Sequence, residues 1–174
     1  MTRPFPFRLA ALLTAAALAG CVPAPAPPPQ PAAPAPAPAP VTAPPPGWRD
    51  LPLTPGGWAY LTDPAGTSAL FGRPGSEADF ILRCDPAARR VTLSRPGGTA
   101  GAMQVSTTSR SAAYPAQPLP GTPPRIGASL PAADAMLDAI AFSKGRFAIA
   151  GAGLPMLVLP AWGEPIRVVE DCRG

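Results

Sequence analysis

From residue 48 onward, apolar and polar positions alternate in short runs separated by glycine and proline. That is the period of half-buried strands. Residues 58–61 and 68–71 are the first two such runs, with Asp63-Pro64-Ala65-Gly66 as a turn between them. Residues 79–84 place Phe80, Leu82 and Cys84 on one face, and residues 90–95 place Val91 and Leu93 inward. With the turn at Asp85-Pro86 between them, 79–95 predicts a hairpin. Residues 103–108 alternate again, and 125–128 is a further short strand. The segment 115–124 holds Pro115, Pro118, Pro120, Pro123 and Pro124 and reads as a loop. Residues 146–149 and 156–159 flank Gly151-Ala152-Gly153 as a second hairpin. Residues 166–170, Ile-Arg-Val-Val-Glu, read as the last strand, which delivers Cys172.

One segment has the helical period instead. From about 131 to 143, Ala133, Met136, Leu137 and Ile140 share a face, and Pro131 stands near the first turn. Gly145 is the expected left-handed stop, with Lys144 at the negative end of the helix. Seven or eight short strands and one short helix predict a mainly β domain, a small antiparallel sandwich or barrel.

Before residue 48 the pattern is different. Arg3 and Arg8 precede an apolar run over 9–19 that only Thr14 interrupts. A membrane-crossing helix needs about 20 apolar residues. This run is too short to span and fits the core of a secretory signal. It ends Leu18-Ala19-Gly20-Cys21, which resembles the lipobox of bacterial lipoproteins. The resemblance covers residues 1–21 alone. It implies cleavage after Gly20, a diacylglyceryl group on the Cys21 thiol and acylation of the new amine. Val22 stands where this family's inner-membrane proteins carry aspartate, so the resemblance implies the outer membrane, with the body facing the periplasm. Two or more acyl chains hold a protein stably on a bilayer.

Thirteen of the 26 residues from Val22 to Gly47 are proline and none is charged. Such a tract builds no core. It samples the polyproline II helix, rising about 3.1 Å per residue, and acts as a semi-rigid spacer. The expected organisation is a signal peptide over 1–20, a lipidated cysteine and Pro/Ala tether over 21–47, and one globular domain over 48–174.

Composition narrows the chemistry. Of the 14 Lys and Arg residues, Arg3 and Arg8 precede the domain, leaving 12 against 10 acidic residues. The overall pI near 9.5 therefore overstates the domain's charge, which is interspersed. No Lys/Arg-rich run of the kind that binds nucleic acid or anionic lipid is present, and no nucleic-acid partner is expected. Of the three cysteines, acylation of Cys21 leaves Cys84 and Cys172 as an even pair in an oxidising compartment. Their disulfide would close a loop of about 90 residues. Two cysteines without histidine fall short of a structural zinc site, and no metal or cofactor is expected.

The chain has no histidine, which removes Ser-His and Cys-His catalysis. Asp134 and Asp138 share a helix face by their i, i+4 spacing. Acids early in a helix are explained more simply by its positive end than by a catalytic pair. Lys144 is the single lysine, and no Ser-x-x-Lys motif accompanies it. Gly151-Ala152-Gly153 lacks the third glycine of a dinucleotide loop, and Ser106-Thr107-Thr108-Ser109 reads as the end of an exposed strand. No catalytic residue is assigned.

The remaining features suit contact. Lys144 and Arg146 lie beside Phe142 and Phe147 at a helix-to-strand corner, with both phenylalanines expected in the core. Trp162, between Pro160 and Pro165, is either a contact residue or a plug at one end of the core. The expected function is that of a lipid-anchored, non-enzymatic envelope module binding a protein or peptidoglycan through Lys144, Arg146 and Trp162. A second reading is an inhibitor of an exogenous hydrolase. Small disulfide-bonded β lipoproteins that block lysozyme are similar in size and layout, and in nothing more specific.

Overall fold

The computed structural model describes residues 47–151 and 153–174. The expected signal peptide, Cys21 and the tether up to Pro46 lie outside the described residues. Nine strands and two helices follow in the order β1 (Gly57–Asp63), β2 (Gly66–Gly72), β3 (Phe80–Asp85), β4 (Arg90–Pro96), β5 (Gly101–Ser106), β6 (Ser111–Leu119), β7 (Arg125–Pro131), α1 (Ala135–Ala141), β8 (Arg146–Gly151), β9 (Leu154–Pro160) and α2 (Gly163–Arg173). The strands form one antiparallel sheet ordered β1-β2-β3-β4-β7-β6-β5-β8-β9. The domain is thus mainly β, as its alternation predicts, and has the character of a small sandwich or barrel.

The sheet rolls until its two ends meet. The Trp58 indole N–H at the start of β1 donates to the Pro160 carbonyl at the end of β9, at 2.9 Å. Just before β1, Thr54 N donates to the Val158 carbonyl at 2.8 Å, and Val158 N donates to Thr54 Oγ1 at 2.9 Å. The Trp58 ring lies edge-on to Phe71 and Phe80, with centroids at 5.2 and 6.4 Å, and stacks on Phe147 at 6.3 Å. Strands distant in sheet order, β2 and β3 against β8, therefore share one interior. Alternation supplies that interior. Phe80, Leu82 and Cys84 of β3 are buried, as are Val91 and Leu93 of β4, Ile126, Ala128 and Leu130 of β7, and Phe147 and Ile149 of β8. Each large apolar side chain buried this way contributes about 1.5–3 kcal/mol. A smaller cluster lies on the other face of β8 and β9, where Trp48 covers Ala148 and Val158 beside Met156. The described residues all belong to one compact unit.

Both predicted hairpins are present, β3–β4 and β8–β9. Three features differ from the sequence reading. The proline-rich 115–124 is strand as far as Leu119, because Pro115 and Pro118 are exposed positions of β6 that pair with Ala102 and Ile126. The helix predicted over 131–143 is shorter. Pro131 ends β7, and Asp134 caps α1 by accepting a bond from Met136 N at 2.8 Å. Gly145 takes a left-handed φ of +77° past the helix end.

The third difference is a correction. Residues 166–170 are not a strand but the middle of α2. The β-branched run Ile166, Val168, Val169 favours a strand locally. Over a longer window, though, Pro165, Val168, Val169 and Cys172 follow i, i+3, i+4, i+7, and these four are the buried face of the helix. Burial against β3, β2 and α1 decides the matter. The domain therefore has two helices. α2 still delivers Cys172, which stands at disulfide distance from Cys84 of β3, with Cα atoms 5.4 Å apart.

Candidate functional site

The antiparallel register of β8–β9 pairs Arg146 with Pro160, and Ala161 N continues it by donating to the Gly145 carbonyl at 3.1 Å. Lys144 and Trp162 thus reach the same end of the hairpin, where the chain turns into α2. They face different flanks. β8 adjoins β5, so Lys144 sits toward the β5–β6 turn. β9 meets the start of β1, so Trp162 sits toward Tyr60.

On the Trp162 flank, Tyr60, Trp162, Gly163, Glu164 and Arg167 line an open hollow of about 640 Å³. Trp162 is the N-cap residue of α2, in extended backbone, and its side chain makes no capping bond. The residue is 51% exposed. The Arg167 guanidinium lies over the Tyr60 ring at 4.2 Å, and the Tyr60 hydroxyl donates to Asp171 Oδ2 at 2.6 Å. The i, i+4 spacing of Arg167 and Asp171 places both against Tyr60, which fixes the phenol ring. The hollow thus offers a flat aromatic face with a carboxylate and a guanidinium at its edge. Stacking and hydrogen bonding to a sugar or a peptide are what such a set can do.

On the Lys144 flank, polar bonds tie four segments together. Arg49 Nη2 donates to the Thr108 carbonyl at 3.2 Å, and Lys144 N donates to Thr108 Oγ1 at 3.1 Å. Ser143 Oγ accepts from Thr108 N at 3.1 Å and donates to the Arg146 carbonyl. Arg146 Nη1 donates to the carbonyls of Arg49 and Leu51, at 3.1 and 2.8 Å. Of the predicted contact residues, Arg146 is therefore committed to pinning the first segment of the domain, while Lys144 and Trp162 are exposed. Phe147 lies in the core as expected. Phe142 does not. It is the C-cap of α1 and is 80% exposed, because its position lies off the buried stripe of Met136, Leu137 and Ile140.

The other residues weighed for chemistry have separate duties. Asp134 caps α1, and Asp138 pairs with Arg173 of α2 at 2.6 Å. Ser106 and Ser111 bond each other at 2.9 Å in the buried start of the β5–β6 turn. Among the described residues no group of three His, Cys, Asp or Glu is placed to hold a metal ion, and no helix is long and apolar enough to cross a membrane.

One charge sits inward at the opposite end of the sheet. Arg95, 5% exposed, continues the inward series of Val91 and Leu93 and donates from Nη2 to the Pro155 carbonyl at 2.7 Å. Its Nε and Nη1 have no hydrogen-bond partner within the described residues. Burial pulls its affinity for the proton below the usual arginine value, and the charge of Asp79 partly offsets this.

Tyr60, Glu164, Arg167 and the exposure of Phe142 were not found in the sequence. Reading 164–172 with the helical period would have grouped Glu164, Arg167 and Asp171 on one face. Nothing local would have set them against Tyr60, about a hundred residues earlier. The chain matches no protein-family model, no curated protein and no solved structure.

Proposed function

We propose that the chain is a lipid-anchored protein of the cell envelope, held to the outer membrane through acyl chains on Cys21. Its tethered domain faces the periplasm as a non-enzymatic binding module. The contact site is the hollow between Tyr60 and Trp162, and the occupant is an envelope protein or a peptidoglycan strand. The observation that carries this reading is the half-exposed Trp162, which lines one hollow with Tyr60 at the start of α2. A large apolar ring left in water on an ordered backbone is what interfaces use as an anchor. The lipobox resemblance and the proline tether support the anchoring.

The test is crosslinking in intact cells, with capture through a C-terminal tag. The wild-type chain is expected to retain one envelope protein or peptidoglycan fragments. Trp162→Ala, which removes an exposed side chain, is expected to keep the fold and lose the capture. Equal capture by Trp162→Ala would remove the hollow from the argument. Intact mass tests the anchor separately: the mature chain should begin at Cys21 with added acyl mass, and a mature N-terminus beyond Cys21 would sink that part.

A further inference from the structure

The tether joins the domain at Gly47, beside the corner built by Arg49, Thr108, Ser143 and Lys144. Arg49 and Lys144 both bond Thr108 here, and Arg110 closes the same β5–β6 turn, its carbonyl accepting from Thr107 N. All three are exposed, as is Asp50, and the Arg110 charge also reaches Tyr114, which bonds Asp134. Beside them Phe142 is 80% exposed and Leu51 44%. Arg146 holds the first segment against β8 through two backbone carbonyls, so the place where the tether departs is fixed relative to the corner.

We infer that this corner docks the domain against the anionic headgroups of a phospholipid bilayer, with Phe142 entering the headgroup layer and Arg49, Arg110 and Lys144 neutralising phosphates. Three observations lead to that occupant. The charge of the corner is complementary to an anionic surface. An aromatic ring flanked by Lys and Arg is the composition that settles at membrane interfaces. The chain leading back toward the N-terminus leaves from this same place, so whatever surface anchors the chain is presented to this corner at high effective concentration. That a bilayer is the anchoring surface rests on the lipid-anchor reading above. Docking would leave the Trp162 hollow on the neighbouring flank, held at a fixed orientation to the membrane. It would add a second, salt-sensitive signal to acyl anchoring.

The experiment uses unacylated chain of residues 22–174, which contains the compact unit, in co-sedimentation with vesicles. Vesicles of equal phosphatidylglycerol and phosphatidylethanolamine are compared with phosphatidylcholine alone, at low and high salt. The expected result is binding to the anionic vesicles only, weakened by salt. The double change Arg110→Gln/Lys144→Gln should lower the partition about 30-fold, at the energy expected per basic residue near such a surface. Phe142→Ser should lower it as well, with an unchanged urea midpoint confirming the fold. Binding that ignores lipid charge, undiminished binding of the double variant, or no binding would overturn the inference. So would retention by isolated peptidoglycan in place of vesicles. The outcome is separable from that for the anchor. An acylated Cys21 without vesicle binding removes docking alone, and vesicle binding without acylation removes the anchor alone.

Discussion

Cys84 on β3 and Cys172 in the last turn of α2 stand with their Cα atoms 5.4 Å apart, 88 residues apart in sequence. The pair ties the C-terminal helix to the strand it covers. A loop of that length removes about 4–5 kcal/mol of chain entropy from the unfolded state. Reduction, or Cys84→Ala with Cys172→Ala, should lower the stability of the domain by about that amount. Urea titration with and without reductant measures it, and identical midpoints would show that the pair is not bonded in the mature protein.

Gly66 pairs with Asp63 across the two-residue turn joining β1 to β2. Its φ is +138°, and a Cβ there would meet the Cys84 carbonyl oxygen at 2.1 Å. Both the conformation and the close approach of β3 require glycine. Gly66→Ala should cost about 2–4 kcal/mol, as a strained backbone substitution does. Gly75, also at positive φ (+75°) but with nothing within 4 Å, serves as the control, where Gly75→Ala should cost about 1 kcal/mol. Equal costs in thermal unfolding would contradict the β3 contact.

Asp134 caps α1 through Oδ1, which accepts from Met136 N at 2.8 Å and from the Tyr114 hydroxyl at 3.3 Å. Asp134→Ala should destabilise the domain by about 1–2 kcal/mol. Asp134→Asn keeps a capping oxygen and should recover most of that. If the two variants unfold alike, the cap is not what Asp134 contributes.

Burial first, and then the charge of Asp134, push the Tyr114 phenol up to about 12 from its usual 10.0. The folded protein therefore holds this proton at pH values where the unfolded chain releases it. Its contribution to stability is complete below about pH 10 and is lost as pH rises toward 12. Phenolate absorbance should show a step near 12 that Tyr114→Phe lacks. In Asp134→Asn the same step should move down, while burial keeps it above the usual value. A Tyr114 step at the usual value in the native protein would refute the environment described.

The strands were legible because alternation is a local signal. Phe80, Leu82 and Cys84 against Val91 and Leu93 specify a hairpin within seventeen residues, and the Gly151–Gly153 turn does the same for β8 and β9. The failures came where a local signal was weaker than a distant partner. Residues 166–170 carry strand-forming side chains, yet α2 forms because Val168, Val169 and Cys172 have a sheet and a second helix to cover. Pro115 and Pro118 read as a break, yet β6 pairs with β5 up to Ala116 and with β7 from Gln117, so each proline meets a partner strand along one edge only and the ladder tolerates its missing N–H. Phe142 reads as core, yet its position lies off the stripe of Met136, Leu137 and Ile140 that α1 buries.

The order of apolar and polar residues by itself determined a mainly β domain, the β3–β4 and β8–β9 hairpins, the left-handed Gly145 beyond α1, and the pairing available to Cys84 and Cys172, since each depends on neighbours in sequence or on composition. The site was decided only by the tertiary structure. Tyr60 meets Arg167 and Asp171, and Arg49 meets Thr108 and Arg146, across separations that no local period reports. Closing the sheet on itself brings β1 to β9, and that closure is driven by the shared interior of Trp58, Phe71, Phe80 and Phe147, not by any single segment.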